Sequence, residues 1–219
     1  MGGRGAEYDK GKLIDHLKGE GIGKGTPVPM DIEQFKGMSL QQIEARIRTL
    51  KHEELFVLDK GGNVVAAYKG DSNSVAFPEN LRYEKGATVT HGHPKSAAEF
   101  GGTFSFADMK NMLTSKWTEH RATASGQGEM NYILKRTGRA NAKGFYDQIN
   151  RDYTKLVSGL SKTYDKAYNT AKTKGANTKA AMHVARQSAV GTLNQYYKKT
   201  AGKFGFNYVT RKEAYEYGR

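Results

Sequence analysis

Leu40, Ile43, Ile47 and Leu50 recur at steps of three and four behind Ser39, a residue type that caps helices, and so predict an amphipathic helix over residues 40–52. The period then changes. Leu55–Asp59 is a short apolar run, Lys60-Gly61-Gly62-Asn63 carries turn chemistry, and Val64–Tyr68 is apolar again, which is a β-hairpin signature. Ser74–Phe77 and Ala87–Thr90 read as two further strands. After His93-Pro94 a loop runs from Lys95 to Thr103. Residues 106–117 have helical composition, and Arg121–Ser125 and Tyr132–Lys135 read as a closing pair of strands around Gly126-Gln127-Gly128. This succession predicts an α+β fold with a mixed sheet flanked by helices.

Both ends of the chain differ from this middle. Residues 1–38 are Gly-rich and read as a mostly flexible leader, with one short helical attempt at Leu13–Leu17. Gly23-Lys24-Gly25-Thr26 lacks the spacing of a phosphate-binding loop. At the other end Phe145, Ile149, Tyr153, Leu156, Leu160 and Tyr164 keep helical steps. Gly175 interrupts the pattern, and Met182, Ala185, Ala189, Leu193 and Tyr196 resume it, so residues 137–219 read as a helical hairpin. Phe204, Phe206 and Tyr208 alternate as a short final strand would. The expected organisation is a leader over 1–38, a body over 39–136 and a basic helical region over 137–219.

Charge sharpens that division. Among 219 residues, those after Ser125 hold 18 basic and six acidic side chains, while the part before is near neutral. Ten of the 13 tyrosines also lie after Ser125. Such asymmetry points to an anionic partner for residues 137–219, either nucleic acid or a capsid, against the plainer reading of a solvated, lysine-rich helical face. No stretch approaches the roughly 18 apolar residues of a membrane span, and no apolar region follows Met1 as a Sec signal would require. A cytoplasmic or virion-associated protein with no membrane partner is therefore expected. The absence of cysteine excludes disulfides, thiolate nucleophiles and cysteine-held metals.

Any metal must then be held by histidine and carboxylate, and one stretch offers both: Thr90-His91-Gly92-His93-Pro94, followed by Ser105-Phe106-Ala107-Asp108. At the end of a strand, residues two apart project to one face. His91 and His93 can thus offer two imidazoles to one ion, with Asp108 adding an oxygen. Two nitrogens, one oxygen and a free fourth position make the ligand set of a catalytic zinc site. Hydrolysis also needs a proton carrier near the metal, for which Glu53 and Glu54 are the candidates, and Ser105 is placed to donate to an oxyanion. Plainer readings exist for each. Ser105-x-x-Asp108 also fits a helix capping box, and Glu53-Glu54 also fits an exposed strand end. His16, His120 and His183 have no sequence partner and read as ordinary residues.

The order of these parts, glutamate, hairpin, H-x-H-P and S-x-x-D, resembles the JAMM/MPN (JAB) metalloprotease family over residues 40–136. Within it the RadC-type and the phage- or toxin-associated bacterial branches look most similar, through His52–Asn63 and Gly102–Asp108. The resemblance implies a zinc-dependent peptide or isopeptide hydrolase, in a bacteriophage or virion context, acting on a protein or peptide substrate. It implies His91, His93 and Asp108 as zinc ligands, Ser105 as oxyanion helper and Glu53 as acid/base, with Glu54 as the fallback, because a slip of one residue moves a side chain to the other face. The family has catalytically inactive members, so a nucleic-acid- or virion-binding structural protein on the same shell is the rival reading. Fourteen residues separate His93 from Asp108, so Lys95–Gly102 must bulge out for Asp108 to reach an ion.

Overall fold

The computed structural model describes residues 3–19, 26–76, 78–94, 103–124 and 131–211. Seven strands form one sheet: β1 (Val28–Pro29), β2 (Glu54–Leu58), β3 (Val64–Lys69), β4 (Thr88–His93), β5 (Glu119–Ala124), β6 (Asn131–Arg136) and β7 (Phe206–Arg211). Their order across the sheet is β1-β3-β2-β4-β5-β6-β7. Among these pairs only β4 and β5 run parallel, with Val89 opposite His120. The chain between them is the crossover that a parallel pair needs, and it contains α3 (Phe106–Thr114).

The remaining helices are α1 (Gly3–Lys18), α2 (Leu40–Thr49), α4 (Ala142–Thr173) and α5 (Thr178–Lys203). Helix α2 starts where expected, because Ser39 Oγ accepts from the Gln42 N–H and Gln42 Oε1 accepts from the Ser39 N–H at 2.8 Å. The α4–α5 turn passes through Gly175 at φ +87°, a conformation that favours glycine.

The two faces of the sheet bury different helices. On one, Phe35, Ile43, Ile47, Phe56, Leu58 and Ala67 enclose α2. Beside them Glu44 is fully buried, accepting from Arg121 Nε at 2.5 Å and from Asn131 Nδ2 at 2.5 Å, so its charge is matched where water is excluded. On the other face Leu55, Val57, Val89, Ala122 and Leu134 meet α1, α3, α4 and α5 in the larger core.

Three expectations need correction. The leader is not a flexible segment over residues 3–18: α1 is a 16-residue helix whose Leu13 and Leu17 are buried in the core. Its position is fixed by Asp9, which accepts from Tyr164 Oη at 2.5 Å and from Arg186 Nε at 3.0 Å, and by the Lys10–Asp165 pair at 2.9 Å. Tertiary contacts thus override the low helix propensity of its glycines. The second correction concerns Ser74–Ala76, which form no strand; Phe77 lies outside the described residues. Asp71 accepts from the N–H groups of Asn73 (2.7 Å) and Ser74 (2.9 Å), turning the chain there, and Val75 enters the core from the turn. The third is the boundary at 136/137. Strand β7 pairs with β6 along its whole length, and Phe145, Ile149, Leu193 and Phe206 share the larger core, so the helical hairpin and the body are built on one sheet.

Candidate metal centre

Strand alternation builds the site. Val89, His91 and His93 point from β4 into the larger core, while Thr90 and Gly92 face α2. Glycine between the two histidines lets α2 pack closely, because a Cβ at position 92 would stand 2.4 Å from Ile47 Cγ2. The same alternation separates the two glutamates. Glu53 lies on the face of Leu55 and Val57 and lines a small cavity with Leu55, Val75, His91, Asp108, Asn111, Trp117 and His120. Glu54 lies on the opposite face with Phe56 and Leu58, where Arg46 Nε and Nη2 each donate to it at 3.0 Å and His52 Nε2 stands 3.1 Å away. The fallback glutamate is therefore held in an ion pair away from the histidines.

Asp108 reaches them in spite of the long spacing; Lys95–Gly102, expected to bulge out, lie outside the described residues. It does so from a capping box. Ser105 Oγ accepts from the Asp108 N–H at 3.1 Å, while Asp108 Oδ2 accepts from the Ser105 N–H at 2.8 Å and from Ser105 Oγ at 2.7 Å. The cap holds Oδ2 and leaves Oδ1 facing His91 Nε2 at 3.4 Å. Cap and candidate ligand are the same carboxylate. Ser105 is brought to the site, but its hydroxyl both donates and accepts within the cap.

His91 Nε2 is 3.0 Å from His93 Nε2, and His93 Nε2 is 3.8 Å from Asp108 Oδ2. Two histidines absent from the expected site also stand here. His120 places Nε2 3.2 Å from His91 Nδ1, and His91, Asp108 and His120 offer donor atoms that all lie within 4.8 Å of one another. This buried group could hold a metal ion. His16, from α1, packs its ring edge-on to His93 with centroids 5.7 Å apart. His183 is exposed on α5, as an ordinary residue would be.

The electrostatics follow from burial and crowding. Burial pushes the Glu53 carboxyl up to about 8, with the His91 charge opposing it. Burial alone would also raise Asp108, but the facing His91, and then His93 and His120, reverse this and hold it well below the usual carboxylate range. Burial would lower His91, yet the charge and hydrogen bond of Asp108 raise it. His120 is pushed down to about 3, by burial first and then by the His91 charge, and burial also lowers His16.

No family model matches the chain, and neither a curated protein nor a solved structure matches it.

Proposed function

We propose that the chain is a zinc-dependent amide hydrolase of the JAMM/MPN type, acting on a peptide or isopeptide bond. One observation carries the reading: His91 Nε2, His93 Nε2 and the Asp108 carboxylate stand 3.0, 3.4 and 3.8 Å apart, with Glu53 on the same cavity. Ligands ~2.0–2.2 Å from a tetrahedral zinc lie about 3.3–3.5 Å from one another; the 3.4 Å to Asp108 Oδ1 lies in that range, while the 3.0 Å between the histidines and the 3.8 Å to Asp108 Oδ2 need shifts of a few tenths of an ångström. The order of the sequence motif supports the same assignment.

When bound, zinc supplies Lewis acidity and makes a water acidic enough to lose a proton near neutral pH. The chain's own residues do the rest. Asp108, a carboxylate held well below its usual range in the metal-free protein, would offset part of the ion's charge. Glu53 takes the proton from the attacking water and returns it to the leaving amine, and a carboxyl raised by burial titrates near the pH where both transfers are needed. Ser105 would have to release Asp108 before donating to an oxyanion.

The test is zinc content of the purified protein by elemental analysis, wild type beside His91→Ala and Asp108→Asn. About one zinc per chain in the wild type and much less in both variants is expected. Peptide and isopeptide screens follow, with Glu53→Gln as the metal-bound, inactive control. No zinc in any of the three, even after metal is added back, would overturn the reading.

A second reading, a nucleic-acid-binding or virion structural protein on this shell, is favoured by a feature of α4. Arg151, Lys155, Lys162 and Lys166 are all exposed. At 100° per residue they fall within about 60° of one another along ~22 Å of helix. No acidic residue occurs between Asp165 and Glu213. Such a stripe would follow a phosphate backbone, with affinity falling steeply with salt. Fluorescence anisotropy with duplex DNA and RNA, at 50 and 200 mM salt, should then show binding that is lost when all four residues are changed to glutamine. Salt-independent binding, or none, removes this reading.

A further inference from the structure

An imidazole that ligates a metal through one ring nitrogen keeps a second, and the partner of that second nitrogen sets the tautomer and the plane of the ring. In His91 the two nitrogens have different surroundings. Asp108 Oδ1 at 3.4 Å and His93 Nε2 at 3.0 Å converge on Nε2, whereas Nδ1 faces His120 Nε2 at 3.2 Å, and the Arg121 backbone also hydrogen-bonds the ring.

We propose that His120 is the positioning residue of this centre, accepting the His91 Nδ1–H so that the His91 Nε2 lone pair is aimed at the metal. The inference rests on the metal reading above and assigns His120 a role outside the ligand set. Neutral His91 bound to metal through Nε2 must carry its proton on Nδ1, and His120 Nε2 is the ring nitrogen facing it. With Nε2 accepting, the His120 proton sits on Nδ1, which has no hydrogen-bond partner among the described residues. Its ring is fixed from two sides, by Phe104 with centroids 5.0 Å apart and by Trp117 at 5.4 Å. The parallel register places His120 opposite Val89, two residues before His91, so its position is set by the β4–β5 ladder.

The test compares wild type, His120→Phe, His120→Gln and His93→Ala in the full chain. Zinc affinity is read by chelator competition, and ligand number by the visible spectrum of the cobalt(II)-loaded protein. Phenylalanine keeps the ring between Phe104 and Trp117 but removes the acceptor; glutamine restores an acceptor. His120→Phe should bind zinc ~10–100-fold more weakly, in the range typical for loss of such an outer partner, and keep the wild-type cobalt spectrum. His120→Gln should recover most of the affinity, and His93→Ala should change the spectrum. The proposal is overturned if His120→Phe binds zinc as tightly as wild type, or if it alters the cobalt spectrum while His93→Ala does not, which would make His120 the ligand. It is also overturned if His120→Gln binds no better than His120→Phe while both give native circular dichroism. A wild-type protein that takes up neither ion instead fails the metal reading itself, which separates the two failures.

Discussion

The His16 ring meets the His93 ring edge-on, with centroids 5.7 Å apart, so a residue from the first helix walls a site built mainly by β4 and α3. Helix α1 is held there by side chains rather than by its own propensity. Leu13 and Leu17 are buried to 0 and 1% exposure, whereas Gly5 and Gly11 face open space. Leu17→Ala should cost about 2–5 kcal/mol in urea unfolding, the range for deleting a fully buried leucine side chain. Gly11→Ala should stabilise by up to ~1 kcal/mol, because alanine is the better helix former and nothing there obstructs a Cβ. The two changes should also move access to the site in opposite directions. Carbethoxylation followed by peptide mass spectrometry should find His16 and His93 modified faster in Leu17→Ala and more slowly in Gly11→Ala.

Glu53 also makes a prediction about pH in the metal-free protein. Its carboxyl titrates at about 8 when folded, against an ordinary value of 4.5. Between those values the folded chain holds a proton that the unfolded chain has released, so this group's contribution to stability falls as pH rises. Glu53→Gln removes the effect. Its stability relative to wild type should therefore climb from pH 5 to pH 8, by at most ~1.4 kcal/mol per pH unit. Urea unfolding of the chelator-treated proteins at three pH values measures the trend; a constant difference would show that Glu53 is ionised in the fold.

Much of the site was legible because it is local. A two-residue period puts His91 and His93 on one face, and the Ser105–Asp108 spacing announces both a cap and an inward carboxylate at a helix start. The capping reading and the ligand reading are compatible in the sequence, and Oδ2 and Oδ1 of one side chain serve the two. His120 and His16 were missed because their proximity is not local: one depends on the parallel β4–β5 register, the other on α1 docking. A signal was present for each. His120 alternates with the small apolar Ala122 and Ala124 against Glu119, Arg121 and Thr123, and Leu13 and Leu17 sit one helical turn apart. The glycines around the leucines weighed more in the reading than they do in the fold, because propensity is weaker than the burial of two leucines.

Gly92 is the position where the two faces of the sheet constrain each other. A methyl group there would stand 2.4 Å from Ile47 Cγ2, well inside contact distance. Gly92→Ala should push α2 outward at a cost of about 1–3 kcal/mol, as overpacking of a tight core does. The strain also acts on the β4 backbone between His91 and His93, so zinc affinity should fall with stability. Gly92→Ala combined with Ile47→Ala makes room for the added methyl and should recover affinity, though not stability, since the Ile47 side chain is then missing from the core. Chelator competition on the single and double variants separates the two effects.

The two adjacent glutamates should respond to the same substitution in opposite ways, because strand alternation sends them to different chemistry. Glu54 is 2% exposed at its side chain and accepts from both Nε and Nη2 of Arg46. Glu54→Gln removes the charge from that paired site and leaves an amide facing two guanidinium donors, which should cost roughly 1–3 kcal/mol of stability. Zinc content and hydrolysis should persist at temperatures where the protein stays folded. Glu53→Gln removes a carboxyl whose proton the unfolded chain has already released at pH 7, so in the metal-free protein stability there should rise rather than fall. Zinc should remain bound, while hydrolysis falls by two orders of magnitude or more, about the scale of a lost general acid–base group. Zinc content, unfolding midpoint and peptidase rate measured on both variants check the split. A Glu54→Gln protein that folds and binds zinc normally but has lost hydrolysis would move the proton carrier to the α2 face and break the assignment of Glu53.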